Sequence, residues 1–235
     1  LEWLAAPPGG SWLDVGCGTG ALTRLIIEKY MPNEITGIDQ SAGFIAHVQN
    51  SIIDPRAHFK VGLAQSLDVD SNSIDTVVSG LVINFVPQPG EAILEMLRVT
   101  KPGGRIGIFV WDYAAGMKML RYFWDAALEV DPGAVEHDEG LRFPICREGQ
   151  LEAAARAAGL KQVEAAPIGV ETVFQNFDDY WQPFLGKVGA PPSYLAALEP
   201  EASQRIADRL REMLPYDEQG TIRLPARAWT VKGTA

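Results

Sequence analysis

Over the first 111 residues, short apolar runs alternate with stretches whose apolar residues recur every three or four positions. Ser11–Gly16 is a brief apolar run ending in glycine, the pattern of a buried strand. Ala21–Tyr30 places Leu22, Leu25 and Ile26 on one helical face and stops before Pro32. Further strands are predicted at Ile35–Asp39, Ala57–Val61, Ile74–Ser79 and Ile106–Trp111, with Pro102-Gly103-Gly104 as a turn before the last. Helices are predicted from Ser41, which can cap, to about Asn50, and over Gly90–Val99. Strand and helix in alternation imply a parallel, doubly wound sheet. Right-handed crossovers then bring the carboxyl ends of the strands to one edge, where ligands bind.

After Trp111 the rhythm changes. Met117–Val130 reads as a helix rich in large aromatics, Ala134–Arg147 as a loop and Glu148–Ala158 as an Ala-rich helix ended by Gly159. Lys161–Phe174 is strand-like, and Pro167 and Gly169 mark it as an edge or a bulge. Phe177–Met213 is helical with proline breaks, and Thr221–Val231 alternates with Ile222, Leu224, Ala226 and Ala228 on one side. The expected fold is a Rossmann-like, doubly wound seven-stranded α/β sheet, mostly parallel with an antiparallel C-terminal strand. Residues 1–235 are expected to form one domain, with insertions 112–147 and 176–220 as a helical lid.

Composition narrows the partners. The 235 residues are 47% hydrophobic, a content suited to a packed core. The net charge of −10 and the lack of any basic run argue against a nucleic-acid substrate. No apolar run is long enough to span a bilayer. The two cysteines, Cys17 and Cys146, form neither a metal motif nor a disulfide framework, and predict reduced thiols in a cytoplasmic protein without a metal. The chain begins at Leu1 in what reads as the end of a helix, so residues are expected upstream.

Two features carry chemistry. Leu13-Asp14-Val15-Gly16-Cys17-Gly18-Thr19-Gly20 joins the first strand to the first helix. Its alternate glycines allow a tight turn and let a ligand approach the main chain. A tight strand–helix turn alone explains a lone Gly-x-Gly, and with Ala21 the string also fits the loose dinucleotide pattern. Asp39 follows at the end of the second strand, about 20 residues on, where a carboxylate can accept from both hydroxyls of a ribose. Helix capping explains Asp39 in isolation; beside the glycine turn, the ribose reading takes precedence.

Taken in order, Leu13–Gly20, Asp39, Ile74–Ser79 and Leu97-Arg98-Val99-Thr100-Lys101-Pro102-Gly103-Gly104-Arg105 resemble the class I S-adenosylmethionine-dependent methyltransferases. The similarity is greatest to the small-molecule branch that includes ubiquinone/menaquinone-biosynthesis enzymes. It covers residues 11–111, and more loosely the C-terminal strand pair. The resemblance implies methyl transfer from S-adenosylmethionine, with S-adenosylhomocysteine as product, to a small-molecule acceptor. It implies that Gly16, Cys17 and Gly18 follow the methionine and ribose, that Asp14 holds the methionine ammonium, and that Asp39 takes the ribose. Gln40, Phe44, Ala64 and Gln65 would border the adenine, and Ser79 and Gly80 would lie near the reactive methyl. Two departures stand out. Leu63 occupies a position where relatives often carry an Asp that bonds adenine, and Asn84-Phe85 replaces a frequent His pair. The Asn-Pro-Pro-Tyr type string of amino-methylating nucleic-acid enzymes is absent.

In-line transfer from a sulfonium needs a base only if the acceptor must shed a proton. His137 and Tyr113, after the fifth strand, are the candidates. His47, His58 and Asp112 read first as structural or exposed. Trp111, Tyr113, Tyr122, Trp124, Tyr180, Trp181 and Phe184 read singly as packing and together as the lining of an apolar acceptor pocket. The rival readings are a nicotinamide-dependent oxidoreductase, which explains the glycine turn and Asp39 but not Lys101–Arg105, and a protein that binds the methyl donor without turnover.

Overall fold

A computed structural model describes residues 2–186 and 188–235, so the expectation attached to Leu1 lies outside the described residues. In chain order the main elements are β1 (Ser11–Val15), α1 (Ala21–Tyr30), β2 (Glu34–Asp39), α2 (Ala42–Ser51), β3 (Ala57–Val61), β4 (Ile74–Gly80), α3 (Pro89–Val99) and β5 (Thr100–Trp111). There follow α4 (Lys118–Val130), α5 (Glu139–Arg142), α6 (Gln150–Ala157), β6 (Lys161–Phe174), α7 (Phe177–Trp181), α8 (Ala190–Ala196), α9 (Pro200–Met213) and β7 (Ile222–Thr234). The seven strands are ordered β3-β2-β1-β4-β5-β7-β6.

β1 pairs in parallel with both β2 and β4, and β2–β3 and β4–β5 are also parallel. The chain therefore winds outward from β1 in one direction and from β4 in the other. That reversal makes the carboxyl ends of β1 and β4 the topological switch point. β7 runs antiparallel to its neighbours: Gly104 and Asp112 of β5 and its continuation bond Ala235 and Arg227, while Thr172 and Thr230 tie β6 to β7 at Leu224 and Ala166. The five parallel strands read as apolar runs because β1 and most of β4 are buried on both faces. The expected turn at Pro102–Gly104 lies inside a longer β5, where the pairing with β4 slips between Ile74 and Thr76. A bulge thus absorbs the proline and glycines without ending the strand.

The chain divides into two compact units. The first comprises residues 1–110, 149–166 and 229–235; the second comprises 111–148 and 167–228. In the first, Trp12, Ile26, Ile35 and Val78 form a closed apolar cluster, and Cys17 packs with Ile45, Val48 and Ile52. The second unit has its own core. Phe123 stacks on Phe184 with ring centres 4.7 Å apart and meets Trp124 edge-on at 4.9 Å. Tyr180, fully buried, donates its hydroxyl to the Met119 carbonyl at 2.8 Å. Trp124, Tyr180 and Phe184 therefore cement this unit.

Candidate active site

The glycine turn owes its shape to backbone geometry. Gly16 has φ +77° and Gly18 φ +52°, a region that side chains disfavour. A Cβ on Gly16 would lie 2.4 Å from a Val82 methyl, whereas one on Gly18 would meet nothing within 4 Å. Gly16 is thus a packing glycine and Gly18 faces open space. Gly16→Ala is expected to destabilise the first unit by about 1–3 kcal/mol, from the left-handed backbone cost plus overpacking against Val82. Thermal unfolding checks this; an unchanged melting temperature would contradict it.

Asp39 holds the turn to the next helix. Its carboxylate accepts from the Gly18 N–H at 3.0 Å through Oδ2 and from the Ser41 N–H at 2.8 Å through Oδ1. Ser41 in turn caps α2, accepting from the Phe44 N–H. Lone pairs remain on both Asp39 oxygens for a ligand. A cavity of about 310 Å³ opens here, lined by Gly16, Gly18, Asp39, Gln40, Phe44, Ala64 and Gln65 together with Ile38, Ser41 and Gly62. Its remaining wall is Leu81, Val82, Phe85, Val86 and Pro87, the turn after β4. Seven of the expected binding residues are brought to one cavity. Leu63 is outside its lining, while Ala64 and Gln65 are in it.

Asp14 sits behind the turn, 1% exposed, and accepts from the Thr23 hydroxyl at 2.6 Å through Oδ2. Its Oδ1 is buried with no partner. Burial pushes the Asp14 carboxyl up to about 6; the Thr23 bond offsets part of the rise and the charge of Asp39 adds to it. A buried carboxylate oxygen without a partner is costly to keep, and Asp14 lies outside the lining of the cavity.

The other expected residues are placed differently. The Cys17 thiol is turned into the apolar cluster under α2, and burial, with Asp14 and Asp39 nearby, pushes it up to about 12. Only its main chain belongs to the turn. Ser79 is fully buried and donates its hydroxyl to the Val15 carbonyl at 2.8 Å, tying β4 to β1. A Cβ on Gly80 would meet the Phe109 ring at 2.5 Å, so this glycine serves packing. Neither lines the cavity. In the second unit, His137 is exposed, with its ring 5.2 Å from that of Tyr194. Tyr113 is 8% exposed, and burial, then the charges of Glu139 and Cys146, drive its phenol upward, so it stays protonated at neutral pH. It is thus a poor base. Asp112 is 2% exposed and accepts from the Arg227 guanidinium at 2.8 and 2.5 Å, a structural pair. His47 and His58 are exposed.

Sequence reasoning noted Asn84-Phe85 within the turn 81–87 but did not place the turn in the cavity wall, because the residues that line it are apolar and carry no chemical signature.

Comparison with known proteins bears on this arrangement. Residues 13–108 match the family described as a methyltransferase domain. Over these residues the chain is similar to methyltransferases. The methyltransferase domain is 30% identical over 112 residues to an uncharacterized methyltransferase of Mycobacterium tuberculosis, covering 48% of this chain and 44% of that protein. It is 32% identical over 120 residues to the 2-methyl-6-phytyl-1,4-hydroquinone methyltransferase of Synechocystis, covering 51% of this chain and 37% of that protein. The chain thus spans less than half the length of these curated relatives. Among solved structures, the phosphoethanolamine N-methyltransferase 2 of Haemonchus contortus, in complex with phosphomonomethylethanolamine and S-adenosylhomocysteine, superposes with a TM-score of 0.60 at 17% identity. That superposition covers 97% of this chain and 49% of that one, and it speaks for the fold.

Proposed function

We propose that this chain transfers a methyl group from S-adenosylmethionine to a small-molecule acceptor. The observation that carries the reading is the unpartnered, buried Oδ1 of Asp14 behind a glycine turn whose Gly18 faces open space and whose main chain is held by Asp39. These groups match the chemistry of the donor. An ammonium needs a buried anion, a ribose needs two acceptors on one carboxylate, and a flat base needs the apolar and amide rim of Phe44, Ala64 and Gln65.

When bound, S-adenosylmethionine supplies a methyl carbon activated by a sulfonium. The chain's own groups bind and orient. Asp39 takes the ribose hydroxyls while keeping the Gly18 and Ser41 N–H groups, so that binding does not dismantle the turn. Asp14, when ionised, accepts from the ammonium. The apolar turn 81–87 walls the cavity and excludes water. Among the described residues no cluster of His, Cys, Asp or Glu is arranged to hold a metal ion.

The hydroquinone and phosphoethanolamine enzymes among the relatives support a small molecule as acceptor. The charge of −10 supports one that is not a nucleic acid. Among the described residues no helix is long and apolar enough to cross a membrane. We place the activity in the cytoplasm because two lone buried thiols suit a reducing compartment. The test is release of S-adenosylhomocysteine from S-adenosylmethionine on addition of phenols, amines and thiols. Acceptor-dependent release is expected; tight donor binding with no release across the panel would favour a binding protein.

The raised Asp14 carboxyl sets a pH dependence. Only the anion pairs with the ammonium, so with Asp14 titrating near 6, S-adenosylhomocysteine affinity is expected to fall about tenfold between pH 7 and pH 5. For folding the sign is opposite. The carboxyl titrates higher in the fold than the ordinary 3.8, so its contribution to stability is fully present below that value and is lost as pH rises through about 6. Calorimetric titrations at both pH values check the affinity; a flat profile would contradict the pairing.

A further inference from the structure

The glycine turn has the outline of a phosphate site without the means to hold a phosphate. In dinucleotide-binding folds the pyrophosphate rests on free N–H groups of such a turn and of the helix that follows it. Here those groups are spent on the chain itself. The Gly16 and Cys17 N–H groups both donate to the Ile38 carbonyl, at 2.7 and 3.0 Å, and the Gly20 N–H donates to the Cys17 carbonyl at 2.8 Å. The Gly18 N–H donates to Asp39 Oδ2 at 3.0 Å. Thr19 is left, and neither it nor any residue of α1 lines the cavity. An anion nest needs successive free donors, and the cavity meets none from this turn.

The charges point the same way. No Lys, Arg or His lines the cavity, whereas Asp39 does. A second carboxylate, Asp14, accepts from the hydroxyl of Thr23 in the first turn of α1, so the chain keeps an anion of its own at that helix start. The sheet order β3-β2-β1-β4 decides which part of a nucleoside meets this region. In the proposed arrangement the base lies toward Gly62, Ala64 and Gln65, after β3, and the ribose hydroxyls lie on Asp39, at the end of β2. The 5′ carbon then leads on toward the turns after β1 and β4. There the Val82 methyls stand 2.4 and 2.5 Å from where a Cβ of Gly16 would be, and Leu81 and Val82 line the cavity. A phosphate on the 5′ carbon would lose hydration to apolar groups and face a like charge.

We propose that the cavity admits nucleosides whose 5′ substituent is neutral or cationic and excludes those that carry a 5′ phosphate, and that Asp39 is the residue that sets this selectivity. The inference rests on the nucleoside reading of the cavity and deepens it. Asp39 acts twice. It withdraws the Gly18 N–H from an incoming oxyanion, and its own charge repels one. A thioether or sulfonium on the 5′ carbon meets neither penalty.

The test is displacement of S-adenosylhomocysteine from the full chain by adenosine, 5′-methylthioadenosine or adenosine 5′-monophosphate, followed by calorimetry. Adenosine and 5′-methylthioadenosine are expected to displace it, and the monophosphate is expected to bind at least about tenfold more weakly than adenosine. Raising the salt from about 20 mM to about 500 mM is expected to narrow that gap at least about threefold, because the repulsion is screened. Asp39→Asn, with its fold verified by circular dichroism, is expected to weaken adenosine yet narrow the gap at least about fivefold. An Asp39 that merely shaped the turn would weaken both probes alike. The proposal is overturned by a monophosphate that binds within about twofold of adenosine, by neutral nucleosides that fail to displace S-adenosylhomocysteine, or by a gap that either salt or a folded Asp39→Asn leaves unchanged. If the variant does not fold, the wild-type gap and its salt dependence decide alone. A wild type that binds no S-adenosylhomocysteine overturns the methyltransferase reading as well; one that binds it together with the monophosphate overturns this proposal only.

Discussion

Asp39→Ala is expected to weaken S-adenosylhomocysteine binding by about 1.5–3 kcal/mol, roughly 10- to 150-fold, while the protein remains folded. Two losses combine. The direct one is the carboxylate that would accept from the ribose hydroxyls, a charge-assisted contact. The indirect one is the pair of main-chain bonds, 3.0 Å to Gly18 and 2.8 Å to Ser41, that hold the glycine turn against the start of α2. Asp39→Asn keeps an acceptor for one of these N–H groups and is expected to fall between wild type and Ala. Calorimetry, with circular dichroism to verify the fold, separates the outcomes. An Ala variant that folds and binds as tightly as wild type would mean that Asp39 is only a cap for the turn and α2.

The second large effect concerns stability and lies in the second unit. Asp138 accepts from the Arg121 guanidinium at 2.8 and 2.7 Å, and also from the Gly140 N–H at 2.8 Å. The two side chains are 4% and 12% exposed. Asp125, the other acid near Arg121, stands 3.8 Å away and is more than half exposed. Asp138→Ala leaves a buried guanidinium without its partner and removes a helix cap, and is expected to cost about 3–5 kcal/mol. That is a large part of the 5–15 kcal/mol typical of a domain, so partial unfolding near 37 °C is expected. Removing both partners, as in Arg121→Met with Asp138→Leu, should recover much of the loss, because burying the pair already carries a desolvation cost. Denaturant titration of the single and double variants checks this. A single variant within 1 kcal/mol of wild type would show that the pair is solvated and weak.

Much of the first unit was legible because its physics is local. Buried parallel strands are forced into short apolar runs, and β1, β2, β3 and β4 were each read to within a residue or so of their bounds. The glycine turn was legible because left-handed backbone requires glycine, and Asp39 because a polar residue closing a buried strand needs a reason. Residues whose roles depend on the third dimension were not. Cys17 sits in the motif, yet its thiol faces α2, since a turn this tight points alternate residues to opposite sides. Ser79 reads as a polar group at a strand end, yet its hydroxyl is spent on Val15. Pro102–Gly104 reads as a turn because the sequence does not reveal that β4 tolerates a slipped register beside it. The aromatics of the second unit read as a pocket lining because large apolar side chains look alike whether they face a ligand or one another. For Trp124, Tyr180 and Phe184 the ring contacts are with other aromatic side chains of the unit. Leu63 looked like a lost adenine contact, and its side chain proves to lie outside the cavity that Gln65 lines.

The measurement that tests the central claim most directly is calorimetric titration of the purified protein with S-adenosylhomocysteine and, separately, with NAD⁺ and NADP⁺. Asp14, the glycine turn and Asp39 predict micromolar binding of S-adenosylhomocysteine, with an affinity that drops toward pH 5, and no heat from either dinucleotide. Binding of a dinucleotide alone would contradict the assignment of the cavity and leave only the fold standing.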